Sequence, residues 1–550
     1  MWARHRLEWV TAVVAAVLGA VYLLLPPMGS DLAAQVARAE FFADHGYTPI
    51  DLRWYAGVDQ LGYSLVSQPV MALLGVRLTG ALSLVGASVL FAVLLRDTKA
   101  PRPWLGALAG TVCIAGNLAS GRVTYGLGVF FGLAALVLVT RRRAWLAAIP
   151  ALLAGATSPV AGLFLGLAGV ALAVSGRLQP PTSSAGEEQE RTTAYGPVAR
   201  GLLIAVPAAI PLAALSLFFG DGGWMNISRT DTFRAVVASL AVALFVPRRP
   251  VRVAALLSAA GVLTSALIHT PVGLNATRLA VMFTLPLLAA YATWPWHPAR
   301  RPTAPPALAE PAAPWAASAR AMPLWAVALL LAVACWWQPP VVTGDIRDMG
   351  NPTAERSYFT PLLDRLAQEK LTGRVEIPST RDYWEAAHMG DVPLARGWLR
   401  QADIARNPLF FTDIPGTSGT GVPLTADTYR AWLDELAVQF VAVPDAELTW
   451  SGRPEAALIA GGLPYLTQVW SGDHWRLYAV SDARPLVGAP ATLVTQTAGA
   501  ITFDAPVVGD VVLRVRFSRW LTASNGAVVD RDGDWVRVHI PTPGRYTLTS

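Results

Sequence analysis

The stretch "LLLPPMGSDLAAQVARAEFFADHG" (residues 23–46) leaves an apolar run and passes at once into acids, a histidine and aromatics. Asp31 is the first acidic residue after the run. The residues that follow it predict an amphipathic helix, because four apolar side chains recur at helical spacing: Leu32, Val36, Ala39 and Ala43. Asp31 stands at the start of this helix. A carboxylate there either caps the free amide groups or performs chemistry, and the pattern leaves both roles open.

The composition is that of a membrane protein. Of 550 residues, 53% are hydrophobic and only 15% charged, which is too apolar for one soluble globule. Eleven apolar runs approach the length of a bilayer span and predict a polytopic α-helical membrane protein with about eleven spans: residues 9–26, 78–95, 104–119, 123–140, 144–157, 159–175, 201–219, 233–247, 251–268, 279–295 and 322–338. No small-residue cleavage site follows the first run, so we expect it to be retained.

Arginines in alternate loops predict the topology. The net charge of +6 sits mainly in short loops, which is typical of the positive-inside rule and not of a nucleic-acid partner. We therefore expect a multi-pass protein of the cytoplasmic (inner) membrane, with its N-terminus in the cytoplasm. The first loop (27–77) and everything after about residue 340 then lie outside. Two Pro-, Ala- and Glu-rich cytoplasmic loops, 179–194 and 298–320, are typical of flexible linkers.

The chain after residue 340 has a different character. Helical spacing in "TPLLDRLAQEKL", a strand-like "RVEIP", a helix-then-strand pattern in "TADTYRAWLDELAVQFVAVPD" and a hairpin in "LTQVWSGDHWRLYAV" predict an α/β domain over residues 341–482. Short alternating runs separated by Gly, Asp and Pro predict an all-β module over 483–550. The transmembrane domain then covers 1–340.

The first loop offers further candidate site residues beside Asp31. Asp51 and Asp59 are alternative acids that folding could bring to the membrane surface, and Glu40 and Asp44 belong to the same acidic set. The aromatic residues Trp54 and Tyr55 are candidates for glycan binding. Each of these side chains taken singly is also explained by a structural or solvated role. As a cluster they predict a polar site over the membrane.

Two arginines stand at the outer ends of spans. Arg122 and Arg278 either snorkel to the lipid phosphates or hold the phosphate of a lipid-linked substrate. Asn275 and His269, close to Arg278 in sequence, are candidate hydrogen-bonding partners for that phosphate. An outer-leaflet phosphate site is thus one prediction, and simple snorkelling is the alternative.

A third cluster lies in the chain after residue 340. Glycan-binding sites favour aromatic faces and planar charged groups, and the segment 377–403 concentrates such residues. Its candidates for binding a glycan are Trp384, Glu385, Arg396 and Trp398. The alternative is a buried tryptophan pair with a solvated charged face. No metal-binding signature, Walker motif or hydrolase motif is present, so no cofactor or metal ligand is predicted, and a need for a divalent cation stays open.

Taken together, these features resemble the GT-C superfamily of integral membrane glycosyltransferases, and most of all its actinobacterial cell-envelope members. The resemblance rests on the acid in "GSD" directly after the first span, the interfacial helix, about eleven spans and a C-terminal exterior part. It implies that a sugar moves, with inversion, from a polyprenyl-phosphate donor to an extracytoplasmic cell-envelope glycan or glycolipid acceptor. It also implies that Asp31 is the general base, whereas the phosphate-binding roles of Arg122 and Arg278 are our own inference.

A physical argument points the same way. No pool of nucleotide sugars exists outside the cytoplasm, so a donor must arrive there on a lipid carrier, and the catalytic acid must lie at phosphate depth. Asp31 is placed at that depth. Two alternatives from other classes are a lipid or glycan transporter (flippase) and a non-catalytic envelope glycan assembly protein. The shortage of ionisable residues inside the spans disfavours a proton-coupled carrier.

Overall fold

The computed structural model describes residues 5–141, 143–177, 196–295, 322–414, 416 and 420–550. The two predicted linkers, 179–194 and 298–320, lie outside the described residues.

All eleven apolar runs are helical. Their helices are Arg6–Leu24, Val76–Asp97, Pro103–Ala119, Val123–Thr140, Ala148–Thr157, Pro159–Arg177, Pro197–Phe218, Arg229–Phe245, Arg249–Leu267, Arg278–Tyr291 and Leu324–Trp337. Seven segments of the described chain are long and apolar enough to cross a bilayer, which makes this a multi-pass membrane protein. The count of eleven spans stays a prediction, because Ala148–Thr157 has only 10 residues and Leu324–Trp337 only 14.

Small residues let these helices approach closely. A Cβ at Gly201 would lie 2.4 Å from the carbonyl oxygen of Gly169, and a Cβ at Gly169 would lie 2.6 Å from that of Gly201. The helices that carry them, Pro159–Arg177 and Pro197–Phe218, therefore pack backbone to backbone, as small-residue interfaces in membranes do.

Charged residues that are predicted to lie on the same side of the membrane are close together at one end of the helices. Arg96 forms an ion pair with Glu8 near the start of the first helix, and Asp97 lies 2.8 Å from Arg141. The C-terminal tail (residues 341–550) instead packs on the first loop. The start of the first helix and the tail thus lie at opposite ends of the bundle.

The first loop folds into an ordered layer. The predicted amphipathic helix is present as Leu32–His45, followed by a two-stranded ladder of Ile50–Asp51 with Val58–Asp59 and by the helix Ser67–Leu74. Leu52 donates a backbone hydrogen bond to Ala498 (2.8 Å), and Arg53 accepts one from Leu394 (2.7 Å). The loop therefore joins the bundle to both parts of the tail.

The first part of the tail is a four-stranded mixed sheet with helices. Its strands run in the spatial order Arg374–Glu376, Val438–Pro444, Trp475–Val480, Leu466–Ser471, and only the first pair is parallel. Its helices include Thr343–Arg347, Arg356–Leu366, Glu385–His388, Arg400–Arg406, Ala426–Glu435 and Gly452–Ala460. The helix-then-strand pattern and the hairpin predicted from the sequence are both present.

The second part of the tail is all β, as predicted. One sheet has the order Thr522–Ala523, Gly544–Thr549, Ala500–Ala505, Thr492–Gln496, and the other the order Val528–Asp532, Trp535–Ile540, Gly509–Arg516. Inward-facing side chains such as Phe503, Leu513 and Tyr546 form its core, and Ile50 and Leu52 of the first loop belong to the same core. The β module and the first loop are therefore packed as one unit.

Candidate active site

Asp31 lies where the first loop leaves the membrane helix and packs onto the turn after Pro103–Ala119. Gly29 has φ +106°, and a Cβ there would come within 2.4 Å of the carbonyl carbon of Ser120, so only glycine fits. The backbone N–H of Asp31 donates to the carbonyl oxygen of Ser120 at 3.2 Å. The position of the carboxylate is therefore fixed by backbone contacts on both sides of it.

The Asp31 carboxylate does not cap the helix that it precedes. It accepts no capping hydrogen bond. Instead its Oδ2 lies 3.1 Å from Nη2 of Arg278 and 3.5 Å from Nε of Arg122. The hydrogen bond that this carboxylate accepts from the described chain goes to Oδ2, and Oδ1 accepts none from it. The capping alternative is therefore wrong, because the carboxylate binds arginine and not the helix amide groups.

The two arginines predicted at the span ends converge on this carboxylate. Arg278 begins the helix Arg278–Tyr291, and Arg122 directly precedes Val123–Thr140. Their side chains are only 18% and 21% exposed, and the guanidinium of Arg278 lies 5.5 Å from the ring centroid of Tyr125. Side chains that snorkel would point away from each other into the head-group layer. Here two guanidinium groups share one carboxylate, which is a ready site for a second anion.

An apolar cavity of about 420 Å³ lies among the helices of the bundle. Its lining includes Tyr125, over which Arg278 lies, and Leu279, the next residue along the helix. At the opposite end it reaches Thr98 and Arg248. Between these ends the walls are aliphatic and aromatic side chains such as Phe91. The cavity thus offers an apolar chain a space whose walls include Tyr125, the ring under the Arg278 guanidinium.

Sequence reasoning missed Asp345, in the short helix after the last apolar helix. Its Oδ1 accepts a hydrogen bond from the backbone N–H of Ser30 at 3.4 Å. Burial raises the pKa of this carboxyl, while the neighbouring Ser120 and the charge of Arg122 act against the rise. No motif marks Asp345 in the sequence, because 315 residues separate it from its partner.

Tyr63 was missed as well. Its hydroxyl accepts a hydrogen bond from Nε2 of Gln35 (2.7 Å), and the Arg38 guanidinium lies 4.2 Å from its ring centroid. Burial, followed by the nearby charge of Asp31, raises the pKa of Tyr63. A tyrosine in a loop of polar and aromatic residues carries no signal that would single it out. Folding alone brings it beside Asp31.

Asn275 and His269 lie near Arg278 in sequence but do not join the cluster. Asn275 belongs to the short 3-10 helix Gly273–Thr277. His269 stacks on Trp224 with ring centroids 3.8 Å apart. Neither makes a hydrogen bond or ion pair with Asp31, Arg122 or Arg278 among the described contacts. Their predicted phosphate-binding role gains no support from the geometry.

The alternative acids of the first loop are engaged elsewhere. Asp51 is fully buried and bound by Arg53, with Nη2 to Oδ2 at 2.8 Å. Burial and then the neighbouring Asp221 raise the pKa of Asp59 to about 7. Glu40, paired with Arg356, and Asp44 line a separate polar pocket. Of the five first-loop acids predicted, only Asp31 contacts both arginines.

The structure corrects five of the six predicted glycan-binding side chains. They are only 1–3% exposed and therefore present no surface to a glycan: Trp54, Tyr55, Trp384, Glu385 and Arg396. The alternative of a solvated charged face is also wrong for Arg396, which bonds to Asp403 and Glu455 inside the domain. The sixth, Trp398, reaches the site, because its Nε1–H donates to the carbonyl oxygen of Ser30 at 3.1 Å.

The described side chains do not form a metal centre. No group of three or more His, Cys, Asp or Glu in the described parts of the chain is placed to hold an ion. The groups that contact Asp31 are guanidinium groups, which repel cations.

Comparisons with known proteins recover distant structural likenesses. No family model and no curated protein matches the chain. The fold is similar to the arabinofuranosyltransferase AftD from mycobacteria (TM-score 0.45, 17% identity), over 92% of this chain and 41% of AftD. It is similar to the Archaeoglobus fulgidus oligosaccharyltransferase (TM-score 0.39, 13% identity), over 88% of this chain and 75% of that one. A third likeness is to ArnT from Cupriavidus metallidurans bound to undecaprenyl phosphate (TM-score 0.36, 12% identity), over 86% and 98% of the two chains.

The chain spans about two fifths of the length of the AftD structure. At TM-scores below 0.5 these likenesses do not define the chemistry of this chain. That chemistry has to come from the geometry of its own site.

Proposed function

We propose that this protein is an inverting glycosyltransferase that moves a sugar from a polyprenyl-phosphate donor to an extracytoplasmic cell-envelope glycan or lipid acceptor. One observation carries the proposal. The Asp31 carboxylate contacts both Arg122 and Arg278, and Arg278 lies over Tyr125, a residue in the wall of an apolar cavity.

The donor has a phosphate and an apolar tail, and the site offers a pair of arginines for the first and an apolar cavity for the second. Its phosphate would take the guanidinium groups of Arg278 and Arg122, which bind planar anions through paired, charge-assisted hydrogen bonds. The first isoprene units of its tail would enter the apolar cavity below. Because both arginines are about four-fifths buried, their attraction to a phosphate is screened less than it would be in water.

The reaction needs one proton acceptor and one stabilised leaving group. The acceptor hydroxyl gives its proton to Asp31 as its oxygen forms a bond to the anomeric carbon of the donor sugar. The bond between that carbon and the phosphate oxygen breaks, and polyprenyl phosphate leaves with the electron pair. The arginines stabilise the negative charge that grows on the leaving phosphate, and a placed base supplies roughly 10²- to 10⁴-fold in rate.

Donor binding would also prepare the base. The phosphate competes with Asp31 for the same two guanidinium groups, so a bound donor weakens the ion pairs at Oδ2. The carboxylate is then freer to accept a proton from the acceptor. The base would thus become active only when a donor is present, which limits wasteful hydrolysis.

The decisive experiment uses Asp31→Asn in cells that lack their own copy of the protein. Asn keeps the size of the side chain but accepts no proton. We expect the wild type and the control Asp44→Asn, at an exposed acid of the same loop, to restore the same envelope glycan linkage. We expect Asp31→Asn to fail while it inserts normally and still binds undecaprenyl phosphate. Full transfer by Asp31→Asn would refute the assignment of the base.

A further inference from the structure

Two aromatic rings form a corner beside Asp31. The rings of Tyr63 and Trp398 stand at 88° to each other with their centroids 6.1 Å apart. Trp398 is tied to Ser30 by its Nε1–H, and Tyr63 is held by Gln35 and lies under Arg38. One ring comes from the first loop and the other from the tail, so the corner exists only when the two are docked.

We propose that this corner is the subsite for the acceptor sugar, with Tyr63 and Trp398 against the C–H face of the ring and Arg400 toward its hydroxyl groups. The inference rests on the proposed function and names the place where the acceptor of that reaction binds. Aromatic rings bind apolar ring faces, and planar charged donors bind hydroxyl groups at their edges.

The direction of the displacement leads to this side of Asp31. With inversion, the acceptor oxygen approaches the anomeric carbon from the face opposite to the departing phosphate. The phosphate side is occupied by Arg122, Arg278 and the cavity in the helical bundle. The acceptor must also place a hydroxyl within hydrogen-bond reach of Asp31. Tyr63 and the tail segment that carries Trp398 also lie beside Asp31.

The tail segment is built to hold this position. A Cβ at Gly397 would lie 2.6 Å from the ring of Trp54, so the backbone before Trp398 rests directly on a buried tryptophan. Gln401 donates to the carbonyl oxygen of Pro271 at 3.2 Å on the far side. The neighbouring Tyr383, and to a lesser extent Asp31, raise the pKa of Arg400. The segment therefore spans the site from the first loop to the loop before Arg278.

Partial exposure distinguishes the corner from core packing. Trp54 and Trp475 are about 1% exposed and serve the core. Trp398, Tyr63 and Arg400 keep an intermediate exposure. A ring pair that is held rigidly yet left partly open to solvent can accept a ligand without rearrangement.

The test measures glycan binding by the full-length protein in lipid nanodiscs. The probes are fluorescein-labelled tetrasaccharides of arabinan, galactan and mannan, titrated by fluorescence anisotropy. We expect at least one of them to bind the wild type, and Trp398→Ala and Tyr63→Ala each to weaken its binding at least about tenfold. Trp398→Phe and Tyr63→Phe keep the rings and should stay within about threefold. Trp450→Ala, at an exposed tryptophan of the tail (63% exposed), is the matched control and should bind as the wild type does.

Binding of undecaprenyl phosphate to the same samples separates this inference from the proposed function. We expect all five variants to keep it. Loss of glycan binding in the two alanine variants alone supports the subsite, even if the wild type fails to bind undecaprenyl phosphate and the proposed function falls. The inference is overturned if none of the three glycans binds the wild type, or if Trp398→Ala and Tyr63→Ala bind them as tightly as the wild type does.

Discussion

Trp398 donates a hydrogen bond from its indole nitrogen to the carbonyl oxygen of Ser30, 3.1 Å away. The N–H of the same Ser30 goes to Asp345, also in the tail. Both backbone groups of the residue before Asp31 are therefore bound by chain that follows the last apolar helix. The tail is a positioning element for the carboxylate as well as a neighbour of it.

This arrangement predicts that Asp345 and Trp398 affect the rate of transfer through Ser30. Asp345→Ala and Trp398→Phe each remove one bond to Ser30, and we expect each to lower kcat about tenfold, because misplacing a catalytic group by about 1 Å is costly. Asp345→Asn keeps an acceptor for the Ser30 N–H and should lose much less. Transfer rates measured at a series of donor concentrations would check this, because kcat should fall while the KM for the donor stays within about twofold of the wild-type value. An unchanged kcat in Asp345→Ala would contradict the positioning role.

A second prediction concerns the arginine pair. Arg278→Ala and Arg122→Ala should each weaken binding of undecaprenyl phosphate about 10- to 100-fold, the usual effect of losing one hydrogen bond to a charged group. Arg278→Lys keeps the charge but not the planar guanidinium with its paired N–H donors, so we expect it to recover only part of the affinity for undecaprenyl phosphate. Native mass spectrometry in detergent would measure these affinities. Arg453→Ala, at an exposed arginine of the tail, is the control, and equal binding by all variants would favour a different phosphate site.

The sequence predicted most of the fold because local patterns decide it. Apolar runs gave the eleven helices of the bundle, and alternation with turn residues gave the strands of the tail. Periodicity could not show that Ile50 and Leu52 of the first loop complete the core of the β module, because that contact joins residues about 450 positions apart.

The candidate site was predictable only in part. Asp31, Arg122 and Arg278 could be singled out because a charged residue at the end of an apolar run indicates a specific role. Tyr63, Asp345 and the role of Trp398 depend on tertiary packing. The tail cluster misled because Trp384, Glu385 and Arg396 look like a binding surface in sequence, whereas all three are buried. Glu385 accepts a hydrogen bond from Thr380, and Arg396 bonds to Asp403.

The pair Asp59 and Asp221 predicts a pH-dependent stability. Asp221 accepts a hydrogen bond from the N–H of Asp59 (2.9 Å) and pairs with Arg406. Burial, then Asp221, raises the pKa of Asp59 to about 7, so the folded state binds a proton that the unfolded state releases near pH 4. Stability should therefore fall as the pH rises from about 4 to about 7. The side chain of Asp59→Asn cannot ionise, so this variant escapes the loss of stability at high pH. We expect it to unfold at a higher temperature than the wild type at pH 8 but not at pH 4. Equal differences at both pH values would contradict the assignment.

The buried cluster around Arg396 predicts a large effect on stability. Arg396 lies 2.9 Å from Asp403, 3.0 Å from Glu455 and 3.7 Å from Glu376. Burial and the neighbouring acids raise the pKa of Glu376, and the arginine holds the set together. Arg396→Ala leaves three buried acids without a cation, which costs about 3–5 kcal/mol. A much lower unfolding temperature is expected than for Arg453→Ala, and similar temperatures for the two variants would show that the cluster is protonated and neutral.

The last prediction places the tail outside the cell. The N-terminal end of the first helix meets Arg96 at one end of the bundle, whereas the tail covers the first loop at the other end. The arginines on the N-terminal side are those that the positive-inside rule keeps in the cytoplasm. In a Cys335→Ser background, Trp450→Cys should react in intact cells with a maleimide that does not cross membranes. Arg143→Cys, at an exposed position of a predicted cytoplasmic loop, should react only after the cells are opened. Labelling of the second variant but not the first in intact cells would invert the topology and place Asp31 on the cytoplasmic side, where nucleotide sugars are available and a lipid-linked donor is not required.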